Sequence, residues 1–207
     1  MNCRAYTEAM LFILFAAAVA SPPTKAPYHF DAKFIECCSC KEVCVTEITG
    51  KDAGCHGFGA LQFTQGSYGG KSLAGTSAAF AWDSGKWVRI YVDAPSSKQG
   101  AVAGFMKAML ADWGTLEAVR PAKIKIASRG KSLSLEVNGG SIAKLTMKPV
   151  FGGDGRTPVT HTNLASPIHS SLMQGATTAA SFGDGHPFSL SATNGFFNLR
   201  DRMSGRI

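Results

Sequence analysis

Five cysteines fall within nineteen consecutive positions, Cys37, Cys38, Cys40, Cys44 and Cys55, and His56 adjoins the last of them. Thiols gathered that densely are either cross-linked to one another or arranged around a soft ion, and both outcomes draw the chain into a closed loop at this point. Side chains alternate between the two faces of an extended strand, so Cys38 and Cys40 point one way and Cys37 the other. A Cys-x-Cys pair then reaches one ion from neighbouring positions. Cys44 lies four residues on, about one turn away, and Cys55 returns after a polar loop that holds Gly50 and Gly54. The set offers three or four thiolates, with Cys37 and His56 as alternates, and thiolates select Cu(I) or Zn(II) over hard cations. Cu(I) accepts two or three thiolates and structural zinc takes four. The spacing differs from the paired Cys-x2-Cys knuckle of common zinc modules, so it does not name the metal.

The first twenty residues bear on which outcome holds. Arg4, the apolar run Met10 to Val19 and the small-residue site Ala18-Val19-Ala20 are the three parts of an export signal. The run is about half the roughly twenty residues a spanning helix needs, so no membrane span is expected after cleavage. An exported chain, periplasmic or secreted, meets an oxidising compartment where cysteines commonly end as disulfides. Two bridges would consume four of the five cysteines that follow the signal and leave one over. Cys37 and Cys38 are poorly placed to bond to each other, because a vicinal bridge strains the peptide between them. Cys-x-x-Cys, the spacing used for thiol exchange, is absent. Three functions stay open: soft-metal binding through the cluster, a disulfide-stapled structural or ligand-binding β domain without metal, and an envelope thiol oxidoreductase.

Residues 21–28 read as a proline-rich spacer and 29–207 as a single domain, long enough for one hydrophobic core. His29 to Glu36 alternates as a strand, with Phe30, Ala32 and Phe34 opposite Asp31 and Lys33, and leads directly into the cysteines. Strands are expected over Leu61 to Tyr68, Ser72 to Trp82 and Trp87 to Val92, the last two joined by Asp83-Ser84-Gly85. Ser96 to Gln99 has capping-box spacing, and the apolar stripe Ala101, Val102, Phe105, Met106, Met109, Leu110 and Trp113 predicts a helix ending near Gly114. Ala122 to Ala127, Ser132 to Val137 and Ser141 to Met147 alternate again, and Asn138-Gly139 supplies a hairpin turn. Pro149 to Pro167 reads as a long surface connection. A last hairpin, Ala176 to Phe182 with Phe188 to Thr193, closes over Gly183-Asp184-Gly185. The expectation is an α+β fold, mainly an antiparallel β-sheet meander with one principal helix.

No catalytic motif accompanies the cysteines, so the chain leans away from an enzyme. Gly-x-Ser-x-Gly is missing, and Gly152-Gly153-Asp154-Gly155-Arg156 lacks the Lys-Ser/Thr of a phosphate loop. Asp93 reads as a turn cap, and His161, His169 and His186 as solvated loop residues. The net charge of +7 is spread over single lysines and arginines without a continuous stripe, which argues against a nucleic-acid partner. It fits solubility and a weak attraction to anionic cell-envelope surfaces.

Cys38-x-Cys40-x3-Cys44, the passage Tyr91-Val92-Asp93-Ala94 to Gln99-x-Ala101, and the late glycine-rich hairpin together resemble an uncharacterised bacterial family, domain of unknown function 1326. The resemblance spans roughly Phe34 to Phe197. The family pattern places a further cysteine two positions after Cys44, where this chain has Thr46. A four-sulfur site therefore needs Cys55 or Cys37 to complete it. The resemblance implies no enzymatic role and marks the cysteine stretch as the signature of the domain.

Overall fold

The computed structural model describes residues 25–41, 43–51, 54–165 and 169–207. Residues 1–20, read above as an export signal, lie outside them, as does the first half of the stretch read as a spacer. The chain enters the structure at β1 (Pro27–Cys38), carries a short helix α1 (Val45–Thr49) in the cysteine loop, and returns as β2 (His56–Tyr68). Then come β3 (Lys71–Ser72), β4 (Thr76–Asp83), β5 (Trp87–Asp93), the helix α2 (Ser96–Met109) and β6 (Thr115–Pro121). The second half is β7 (Ile124–Arg129), β8 (Ser132–Val137), β9 (Ala143–Pro149), β10 (Thr160–Thr162), β11 (Ser171–Phe182), β12 (Phe188–Leu190) and β13 (Thr193–Arg206). All belong to one sheet, whose main path runs β6-β5-β4-β2-β1-β13-β11-β9-β8-β7.

This architecture corrects the α+β expectation. Strands dominate the described residues, two α-helices are present, and the sheet is mixed and curled. Two antiparallel meanders, β1-β2-β4-β5 and β7-β8-β9-β11, are joined by β13, which pairs with β1 on one side and β11 on the other. The sheet is mixed because α2 carries the chain from β5 to a parallel neighbour, β6, a connection that antiparallel hairpins cannot make. It curls so far that β7 lies against β2 and β4. Two strands escape a reading based on alternation, each for its own reason. β6 lies at the edge with nearly every side chain exposed, so no apolar period marks it. β13 buries Asn194, Asn198 and Asp201 beside Phe196 and Phe197, and buried polar groups erase the pattern.

Curling divides the interior into two layers. The inner one, enclosed between the two meanders, holds Ile35, Phe58, Tyr91, Leu135, Leu145, Met147 and Phe182. The outer one lies between the sheet and α2, where Phe30, Phe34, Phe63 and Phe80 meet Val102, Phe105 and Met106. Phe105 touches the rings of Tyr28, Phe30, Phe63 and Tyr68 at 5.6 to 5.7 Å between centroids, so the apolar stripe of α2 is sheet-packing surface.

Local details follow the sequence unevenly. Asn138 and Gly139 adopt φ of 50° and 64°, the left-handed pair that their turn demands. The capping box does not form: Pro95 occupies the N-cap without a side-chain bond, and Gln99 Nε2 donates to Ala94 O at 3.2 Å. Leu110, not Gly114, closes α2. Gly114 instead turns the chain into β6 at φ 150°, where a Cβ would stand 2.8 Å from the Trp87 nitrogen. Asp93 accepts from Ile124 N at 3.0 Å and pairs with Lys123 at 3.1 Å, a structural clasp over the β6–β7 turn. Among the described residues, no helix is long and apolar enough to cross a membrane.

Candidate metal centre and adjoining cavity

The end of β1 is buried on both faces, and alternation sends Cys37 into the inner layer and Cys38 into the outer one. The loop that follows is tied at its neck. Ser39 N donates to His56 O at 2.8 Å, and His56 N donates back to Ser39 Oγ at 3.1 Å. Cys40 O accepts from Asn194 N at 2.7 Å, which fixes the loop to β13. Cys44 is the N-cap of α1, and Gly50, at φ 73°, ends that helix by donating to Thr46 O. Ala165 N holds the helix from outside through Ile48 O. Each constraint turns a sulfur-bearing backbone segment toward one point.

The outcome is convergence. The sulfurs of Cys38, Cys40, Cys44 and Cys55 all lie within 4.8 Å of one another, and Cys40 and Cys44 are 3.8 Å apart. A tetrahedral ion with metal–sulfur bonds of about 2.3 Å places its ligands about 3.8 Å apart, so small side-chain rotations bring the four thiols to ligand spacing. Cys38, Cys44 and Cys55 are buried and Cys40 is half-buried; all are free thiols. Asn194 Nδ2 donates toward Cys38 Sγ at 3.5 Å, an outer contact of the kind that orients a ligand.

The structure does not bring the two alternates into this group. Cys37 points to the opposite layer, donates to Phe58 O at 3.7 Å, and has its thiol pushed up by burial. His56 turns its ring edge-on to Phe188 at 4.8 Å. Cys55 thus supplies the fourth sulfur of the group.

The electrostatics concentrate charge on one sulfur. Hydrogen bonds from the Cys38 and Cys55 thiols, together with the backbone N–H groups of Glu47 and Thr46, hold Cys44 down to about 2 despite its burial. Cys38 is raised because it donates to Cys44 and Cys55 and is buried. Burial and the neighbouring Cys44 raise Cys40. For Cys55, the Cys38 hydrogen bond pulls down while the bond to Cys44 and burial push up, and the upward effects win. A cation among the sulfurs would favour the thiolate form of all four.

Beside the sulfurs opens a cavity of about 350 Å³, lined by Cys44 and Cys55, by Glu36, Glu47 and Asp112, and by Trp82, Met109 and Trp113. Glu36 is 1% exposed, and its Oε2 has no hydrogen-bond partner. Burial, reinforced by Glu47, Cys44 and Cys40, raises its carboxyl well above the ordinary value. Sequence reasoning passed over Glu36, although a signal was available: an acid between Ile35 and Cys37, in a strand buried on both faces, has no solvent to point into. His169 was also misread. It is buried with Nδ1 2.9 Å from Asp201 Oδ2, a partner 32 residues away that no local pattern reveals.

No family model matches the chain, and no curated protein matches it. Among solved structures, it is similar to the acetoacetate decarboxylase of Legionella pneumophila subsp. pneumophila str. Philadelphia 1 at 11% identity and a TM-score of 0.39, with 93% of each chain covered. A second acetoacetate decarboxylase structure gives 11% identity and a TM-score of 0.39, covering 87% of this chain and 89% of that one. The enduracididine biosynthesis enzyme MppR, complexed with the condensation product of pyruvate and imidazole 4-carboxaldehyde, gives 12% identity and 0.36 over 92% of each chain. Likeness at this level carries no activity over to the present chain.

Proposed function

We propose that this chain is an exported protein that binds one soft metal ion through Cys38, Cys40, Cys44 and Cys55. The convergence of four sulfurs within 4.8 Å carries the reading. Zn(II) takes four thiolates, and Cu(I) takes two or three from the same set. Four sulfurs fit Zn(II), and Cu(I) stays the alternative, because the cysteine spacing does not name the metal. Export follows from the signal-like residues 1–20, and the cysteine pattern is the part of the chain that resembles domain of unknown function 1326.

A second reading has its own observation. Cys40 is partly exposed and its sulfur stands 3.8 Å from that of Cys44, a pair that closes to a disulfide under oxidation and dismantles the four-sulfur set. Anaerobic purification from the exporting compartment separates the two. Elemental analysis is expected to give one zinc or copper per chain, with alkylation showing five free thiols once the metal is removed under denaturing conditions. Cys38→Ser and Cys44→Ser should each abolish stoichiometric metal, whereas Cys37→Ser should leave it unchanged. No metal, with one or two disulfides among these cysteines, would overturn the proposal.

A further inference from the structure

We propose that the cavity beside the sulfurs binds a small organic cation, an ammonium group carried on an aromatic or branched aliphatic body. This goes beyond the metal reading and does not require it. The first observation is Glu36. A buried carboxyl oxygen without a donor is an unfavourable arrangement unless a bound group supplies one. That carboxyl lines the cavity.

The second observation is the sign of the walls. Glu36, Glu47 and Asp112 line the cavity, and among the described residues no lysine, arginine or histidine does, in a chain whose net charge is +7. An acidic hollow in a basic protein repels anions and concentrates cations. A metal held by four thiolates would retain net negative charge and deepen the same field.

The third observation is the aromatic surface, which separates an organic cation from a bare inorganic one. Trp82 and Trp113 meet at 5.2 Å and 73°, and with Met109 they form an apolar wall. Indole faces attract ammonium groups and exclude a hydrated metal ion. A volume of about 350 Å³ suits a molecule of small-metabolite size and leaves a single ion mostly unsurrounded.

The test uses two cations and their neutral counterparts: 2-phenylethylamine against 2-phenylethanol, and choline against 3,3-dimethyl-1-butanol. Calorimetric titration is run on the folded chain lacking residues 1–20, with and without metal, and metal content is measured on the same samples. At least one cation should bind about tenfold or more tightly than its neutral counterpart. Glu36→Gln and Trp113→Ala should each weaken that binding about tenfold while circular dichroism stays unchanged. If Glu36→Gln does not fold, Asp112→Asn at the cavity mouth and Trp113→Ala decide the matter. Equal affinity for cation and alcohol, no binding by either cation, or indifference to the substitutions overturns the proposal. Amine binding to a metal-free chain that cannot take up metal would sink the metal reading alone.

Discussion

Two buried carboxyls on adjoining strands of this sheet lead opposite lives. Asp201 of β13 pairs across from Ala32 of β1, and Glu36 of β1 pairs across from Phe196 of β13. Exposure is 0% for Asp201 and 1% for Glu36. Asp201 accepts from Ser170 Oγ at 2.8 Å, Ser170 N at 3.2 Å and Asn198 Nδ2 at 3.4 Å, and lies 2.9 Å from His169 Nδ1. Glu36 has an oxygen that meets no donor, and its residue is part of the cavity lining. A buried acid ringed by donors belongs to the architecture; one left unsatisfied beside a hollow is spending stability on something outside the fold.

The sharpest way to break that contrast is to remove the saturated acid. Asp201→Ala strips His169 Nδ1 and Ser170 of their shared partner in the core, while Asn198 Nδ2 keeps Ser171 O at 2.9 Å, and should cost about 2 to 4 kcal/mol of unfolding free energy in urea titrations. Asp201→Asn, which keeps one acceptor, should cost less. A loss under about 0.5 kcal/mol for the alanine variant would show that the knot contributes nothing to the fold.

Removing the charge from the unsatisfied acid should do far less. Glu36→Gln breaks no hydrogen bond seen in the structure and relieves an ionisable group of burial, so the metal-free chain should change by under about 1 kcal/mol in either direction. A loss as large as that of Asp201→Ala would mean that Glu36 is architectural after all. Comparing the two denaturation curves under one set of conditions is the direct measurement.

The same contrast explains what the sequence discloses. Facing of residues along one strand is a local property, so the split of Cys37 from Cys38, the Asn138-Gly139 turn and the apolar stripe of α2 were all legible. Closure is not local. β13 reaches β1 from more than 150 positions away, and its burial of Asn194, Asn198 and Asp201 defeats any search for apolar alternation. β6 has the opposite fault, exposing nearly everything. The cysteine spacing showed that sulfurs can meet, but it could not show that Cys55 and not Cys37 is the fourth, because that depends on how α1 folds back. Glu36 was visible as an acid in an apolar strand; its cavity, built with residues of β4, α2 and the turns beside them, was not.

A third carboxyl, saturated but near the surface, gives the smallest effect. Asp184, in the turn between β11 and β12, accepts from Tyr91 OH at 2.8 Å and Arg120 Nη1 at 2.8 Å, and lies 3.2 Å from Arg89 Nη1. Partial burial works against its ionised form, but the tyrosine hydroxyl and the two guanidinium groups prevail and hold its carboxyl below the ordinary value of 3.8. A depressed folded value means that the contribution is complete above the unfolded value and is lost as pH falls through the folded one. Asp184→Asn should therefore lower stability by about 1 kcal/mol or less at neutral pH, since solvent screens the cluster. The gap between the parent and variant melting temperatures should begin to shrink as pH falls below about 4 and close in stronger acid. A gap that widened on acidification would mean that Asp184, despite its full set of partners, is held in its protonated form, and that counting donors does not separate the two kinds of buried acid.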